Sequence, residues 1–123
     1  VSEVADTVAD SIAVGRPRNA VKACRALEES GGTSVLVSDE DVLAAERTLG
    51  STEGIYAEPA GAAPVAGVRR ALSEGVIDRD ETVCVVVTGN GLKDTDSARD
   101  AAGEAVRIAP ELADVETIYG ERA

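Results

Sequence analysis

Residues 82–87, Thr-Val-Cys-Val-Val-Val, form a continuous, largely β-branched run. Such a run fits a strand buried on both faces, the situation found in parallel sheets covered by helices. It ends in Thr88-Gly89-Asn90-Gly91, a turn rich in residues that accept positive φ. Ser34-Val35-Leu36-Val37 reads as a second, shorter strand. Helical patterns surround both. One begins at Asn19, carries Val21, Cys24 and Leu27 on one face and stops at Gly31-Gly32. A second begins at Ser38, whose hydroxyl precedes Asp39, Glu40 and Asp41 at the positive end of the helix dipole, and closes at Gly50. A third carries Val65, Val68 and Leu72 and stops at Gly75; Pro64 places its start near Gly61, because the first turn needs no donor from proline. The order helix, strand, helix, helix, strand predicts an α/β fold, part of a doubly wound, mostly parallel sheet.

Two clear strands are few for an independent sheet of that kind. The strand at 82–87 wants a neighbour on each side. Either the segment around Val4–Val14, before Gly15-Arg16-Pro17 interrupts the chain, supplies one, or the partner strands lie in sequence that is not here, which favours a fragment. The sequence contains no Met, so Val1 is read as a processed or fragment end. With 123 residues there is one modest domain at most, without internal repeats or low-complexity linkers.

Composition excludes several chemistries. Twelve Lys and Arg against 23 Asp and Glu leave a formal charge of −11, which supplies no basic stripe for a nucleic acid backbone. No apolar run approaches the roughly 20 residues of a membrane-spanning helix, and no charged-then-apolar leader precedes the first helix. There is no His, so neither a Ser–His–Asp triad nor a His-based metal site is available. Cys24 and Cys84 alone do not make a structural zinc site. The basic residues are ten Arg and only Lys22 and Lys93, in a chain whose apolar residues are mainly Ala and Val. An acidic, Lys-poor surface suits a high-salt cytoplasm, where salt screens the self-repulsion of dense carboxylates. The alternative is an ordinary acidic protein of a GC-rich genome; a halophilic protein is the expectation, and a cytoplasmic one on either reading.

Ligands of open parallel sheets bind beyond the carboxyl ends of strands, which points to Thr88-Gly89-Asn90-Gly91 with its hydroxyl, amide and backbone N–H groups. Glu58, ahead of Pro59-Ala60-Gly61, is the second candidate, although a carboxylate there also suits the helix dipole. Lys22 and Lys93 are read as solvated or paired with carboxylates rather than as nucleophiles.

Three blocks, TVADSIAVGRP at 7–17, SDEDVLAAERTLGSTEGIYAEPAGAAPVAGV at 38–68 and VCVVVTGNGLKD at 83–94, occur in this order and spacing. Together they resemble the C-terminal portion of the threonine synthases, within the fold-type II family of pyridoxal-phosphate enzymes. The EGIxxEPAGA block from Glu53 to Ala62 marks the wider family, including threonine and serine dehydratases, whereas TGNGLKD from Thr88 to Asp94 is closer to the threonine synthases. The resemblance implies conversion of O-phospho-L-homoserine and water to L-threonine and phosphate, with pyridoxal 5'-phosphate held as a lysine Schiff base. It implies that Thr88 hydrogen-bonds the pyridine nitrogen, that Glu58 lies near the ring with Pro59 to Ala62 shaping the wall, and that Gly89 and Gly91 let the backbone pass close by. In the family the Schiff-base lysine, the loop around the substrate carboxylate and the cofactor-phosphate loop all precede this region, and none is found here. Residues 1–95 are therefore expected to be the C-terminal part of a catalytic domain, with 96–123 a tail carrying a candidate helix from Asp96 to Ile108. The chain is expected to be inactive alone, to need the missing N-terminal part, and to belong to a homo-oligomer. Two other readings stand beside this one. A dehydratase fragment is compatible with TVADSIAV but disfavoured by TGNGLKD, and a non-catalytic α/β module would bind a small molecule at the glycine turn or a partner through open sheet edges.

Overall fold

A computed structural model describes residues 4–122, and five helices account for most of the regular structure. They are α1 (Ala20–Ser30), α2 (Asp39–Thr48), α3 (Pro59–Ser73), α4 (Thr95–Ala102) and α5 (Leu112–Arg122). No helix among the described residues is long and apolar enough to cross a membrane.

Several boundaries follow from local chemistry. Asn19 precedes α1, and Gly31 ends it at φ 64°, with the N–H of Gly32 returning to the Leu27 carbonyl. Ser38 caps α2 in a reciprocal box: its hydroxyl accepts from the Asp41 N–H while the Asp41 carboxylate accepts from the Ser38 N–H. Gly50 does not close this helix. The chain passes through a wider π-turn over Leu49–Glu53 and stops at Gly54, φ 66°. Helix α3 begins at Pro59 rather than near Gly61, so Pro59 takes the first helical position and Pro64 lies inside the helix. Its end is a Schellman motif, with Gly75 at φ 69° and the Val76 N–H donating to the Ala71 carbonyl. Helix α4 stops at Gly103, short of the expected Ile108, and α5 is a helix that the sequence pattern did not reveal.

The expected α/β architecture, a doubly wound and mostly parallel sheet, is overturned: among the described residues the chain forms no strand and no sheet. The only pairing there is an isolated antiparallel bridge between Ala57 and Asn90. The reason is partnership. Both candidate strands lie against α3, where a Cβ on Gly61 would meet Val87 and one on Gly67 would meet Val35. Strand-like alternation persists in both, with Val35, Val37, Val85 and Val87 half-buried while Leu36 and Val86 are 91% and 68% exposed. No ladder satisfies their backbone groups, so β-branched sequence alone does not produce a strand. The amino-terminal segment is no neighbour either, because Val4 is 95% exposed and Asp10–Ile12 forms a 3-10 turn.

The core is small and built from small side chains. Val42, Ala45 and Leu49 of α2 and its π-turn pack with Ala57 and with Ala62 and Ala66 of α3, and Val8, Val37 and Val87 close over them. On its other flank α2 meets α4, where the Arg47 guanidinium Nε donates to the Ala101 carbonyl. Helix α1 buries none of its residues.

Candidate functional site

The bridge between Ala57 and Asn90 brings the two predicted site segments together. The Glu58 N–H donates to the Gly89 carbonyl at 3.1 Å, and the Gly91 N–H donates to the Tyr56 carbonyl at 3.0 Å. Glu58 occupies the N-cap position of α3, but its side chain caps nothing. Instead it turns toward the glycine turn and is 4% exposed. One carboxylate oxygen accepts from Lys93 Nζ at 2.8 Å and the other from Ser11 Oγ at 3.0 Å. These hydrogen bonds, the one from Lys93 foremost, hold the Glu58 carboxyl below the usual glutamate range against the opposing effect of burial.

Three chain segments thus converge on one carboxylate. Ser11 comes from the 3-10 turn, Glu58 from the start of α3, and Lys93 from the 3-10 turn that follows Asn90. A second carboxylate fixes the same amino-terminal segment, since Asp39 accepts from the Thr7 hydroxyl and from the Val8 N–H. Beyond Lys93, Asp94 caps α4 by accepting from the Ser97 hydroxyl and N–H, which hold it below the ordinary aspartate range.

The glycines serve this packing directly. A Cβ on Gly89 would overlap the Glu58 carboxyl, and one on Gly91 would overlap the Tyr56 ring. The room over both glycines is filled by the chain's own side chains. Thr88 is exposed, and its hydroxyl makes no hydrogen bond among the described residues. It stands at the edge of the turn that Glu58, Lys93 and the backbone bridge tie together.

Of the residues singled out from sequence, Thr88, Gly89 and Glu58 come together in one place. Lys93 is paired, as expected of it, though its partner is Glu58 rather than the adjacent Asp94. Lys22 is exposed on α1. Sequence reasoning did not anticipate Ser11 as the second donor to Glu58, nor the tie between Thr7 and Asp39. Both lie in the TVADS segment, whose spacing of four residues between hydroxyls was the available signal.

This chain belongs to the pyridoxal-phosphate dependent enzyme family, whose pattern matches residues 1–89. Within it the chain is similar to the threonine synthase of Methanocaldococcus jannaschii, with 45% identity over 103 residues, covering 84% of this chain and 25% of that protein. It is also similar to the threonine synthase of Methanosarcina acetivorans, 45% identical over 117 residues, or 94% of this chain and 29% of that protein. The Bacillus sp. enzyme of the same name is 46% identical over 98 residues, 80% of this chain and 28% of its own length. The chain thus spans about a quarter of the length of these relatives.

Proposed function

We propose that this chain acts as part of a threonine synthase, converting O-phospho-L-homoserine and water to L-threonine and phosphate. In this reading residues 1–95 contribute the pyridine-side wall of the cofactor site, and 96–123 form a carboxyl-terminal tail. The observation that carries it is the free, exposed Thr88 hydroxyl on a turn locked by Glu58, in a chain similar to enzymes of that name. Pyridoxal phosphate, when bound, supplies an electron sink for chemistry at the amino-acid substrate. Thr88 offers its hydroxyl to the ring nitrogen, and a neutral partner of this kind leaves that nitrogen less cationic than a carboxylate would. Glu58 and Gly89 fix the backbone from which Thr88 projects. The amine that carries the cofactor comes from the rest of the enzyme: the Lys93 ammonium is committed to Glu58, and Lys22 lies on the exposed α1.

The test uses the enzyme at its full natural length with pyridoxal phosphate. Release of phosphate and threonine from O-phospho-L-homoserine is expected. Thr88→Val should lower kcat about tenfold, the equivalent of one lost hydrogen bond to a charged or reacting group, and shift the visible band of the bound cofactor. Formation of 2-oxobutanoate from threonine instead would establish the dehydratase reading. No turnover of either substrate would overturn both.

The same reading takes the protein to be a homo-oligomer in a high-salt cytoplasm. The charge of −11 with only two Lys supports the high-salt part. The melting temperature is expected to rise between low and molar sodium chloride as salt screens the carboxylates. An unchanged melting curve would remove the halophilic part of the proposal.

A further inference from the structure

Beside α2, a cleft of about 420 Å³ opens between that helix, the π-turn after it and α4. Its walls include Ile55, Tyr56, Ala98, Ala101 and Ala102, which present methyl groups and a ring. One charged side chain is sunk into this lining. Glu46 is 4% exposed, and neither of its carboxylate oxygens has a hydrogen-bond partner. A buried, unpartnered carboxylate is costly to the fold, and native structures rarely leave one without a use.

The surroundings define what would satisfy it. Arg47 also lines the cleft, its Nε donating to the Ala101 carbonyl, and none of its nitrogens hydrogen-bonds the Glu46 carboxylate. The negative charge of Asp94 acts on Glu46 as well. A hard metal ion requires several oxygen ligands, and Glu46 is the only carboxylate in the lining. The volume falls in the range of small-molecule sites, which are mostly apolar with a few polar groups that fix orientation.

We propose that this cleft binds a small organic cation, a primary ammonium carried on a compact apolar body, with Glu46 as its counter-charge. The ammonium pairs with the Glu46 carboxylate as that side chain turns from its buried position into the cleft, and the apolar body covers the alanine face of α4. The cleft shares Tyr56 with the glycine turn, but its counter-charge is Glu46 rather than Glu58, so the proposal stands whether or not the chain serves a threonine synthase.

Benzylammonium is the probe, titrated into the protein while backbone amide shifts are followed by NMR. Benzyl alcohol, its neutral counterpart, is titrated in parallel. The expected result is saturable shifts at Ala98, Ala101 and Ala102 with benzylammonium. Binding should be about tenfold or more weaker for benzyl alcohol and for benzylammonium on Glu46→Gln. Equal affinity for the two probes overturns the proposal, because it reduces the site to an apolar cleft. So does an unaltered affinity in the E46Q variant, or the absence of saturable binding. The comparison of probes on the parent protein decides the matter even if E46Q does not fold.

Discussion

Gly61→Ala is expected to lower the melting temperature by about 3–8 °C, whereas Gly67→Ala, six residues further along α3, should leave it unchanged or raise it. Helix propensity predicts the opposite for the first, since replacing a helical glycine by alanine is worth up to roughly 1 kcal/mol in favour of the helix, and less in the first turn where Gly61 lies. Packing decides. A Cβ on Gly61 would stand 2.8 Å from the Gly89 carbonyl oxygen and 3.1 Å from the Gly89 nitrogen. Those are backbone atoms, tied by the hydrogen bond from the Glu58 N–H, and they do not swing aside as a side chain would. Helix and turn must separate, with an overpacking cost of about 1–3 kcal/mol that outweighs the propensity gain. On Gly67 the added methyl would meet only Val35 Cγ2 at 3.6 Å, an ordinary contact. Thermal unfolding followed by circular dichroism checks both. A G61A variant that melts at or above the parent would show that α3 and the glycine turn are not in the close contact described here.

The second large effect concerns the buried carboxylate of α2. Glu46→Met should stabilise the protein at neutral pH by about 1–3 kcal/mol, because it removes a charged group that has lost water and gained no partner. Burial, and then the negative charge of Asp94, push the Glu46 carboxyl above its ordinary value of 4.5. The folded chain therefore holds this proton more firmly than the unfolded chain does. Its contribution to stability is fully present below the ordinary glutamate range and is lost as pH rises through the raised value. The advantage of E46M should accordingly be largest near neutrality and shrink as pH falls toward the ordinary glutamate value. Glu58 and Asp94 titrate in the opposite sense: both are held low, so the stability they contribute is present at neutral pH and is lost on acidification. Both proteins therefore keep an acid-unfolding limb. Chemical denaturation across pH reads both effects, and equal stabilities of parent and E46M at neutrality would contradict the burial of an unpaired charge.

Much of the helical framework was legible because its signals are local. The Ser38 box and the glycines after α1 and α3 act within one turn, where hydroxyl, carboxylate and positive-φ preferences are fixed by covalent chemistry. Gly50 and Pro64 misled for the same reason. Their local meaning was overridden by packing of Leu49 into the core and by Pro59 taking the first helical position. Helix α5 was hidden because its apolar residues follow no clear stripe, leaving Leu112 and Tyr119 exposed.

The strands mark the other limit. Residues 34–37 and 82–87 have the composition of buried strands, and nothing in that composition says what lies beside them. A helix satisfies its own backbone, whereas a strand depends on another segment for every backbone hydrogen bond. The sequence by itself determined the bounds of α1 and the start of α2, which turn carries Thr88 and Gly89, and the family to which the chain is similar. Only the tertiary structure decided that the candidate strands lie unpaired against α3, that Ser11 and Lys93 share the Glu58 carboxylate, and that Glu46 is buried without a partner. Each of these depends on groups far apart in the chain meeting across a packed interface, and no local preference encodes that meeting.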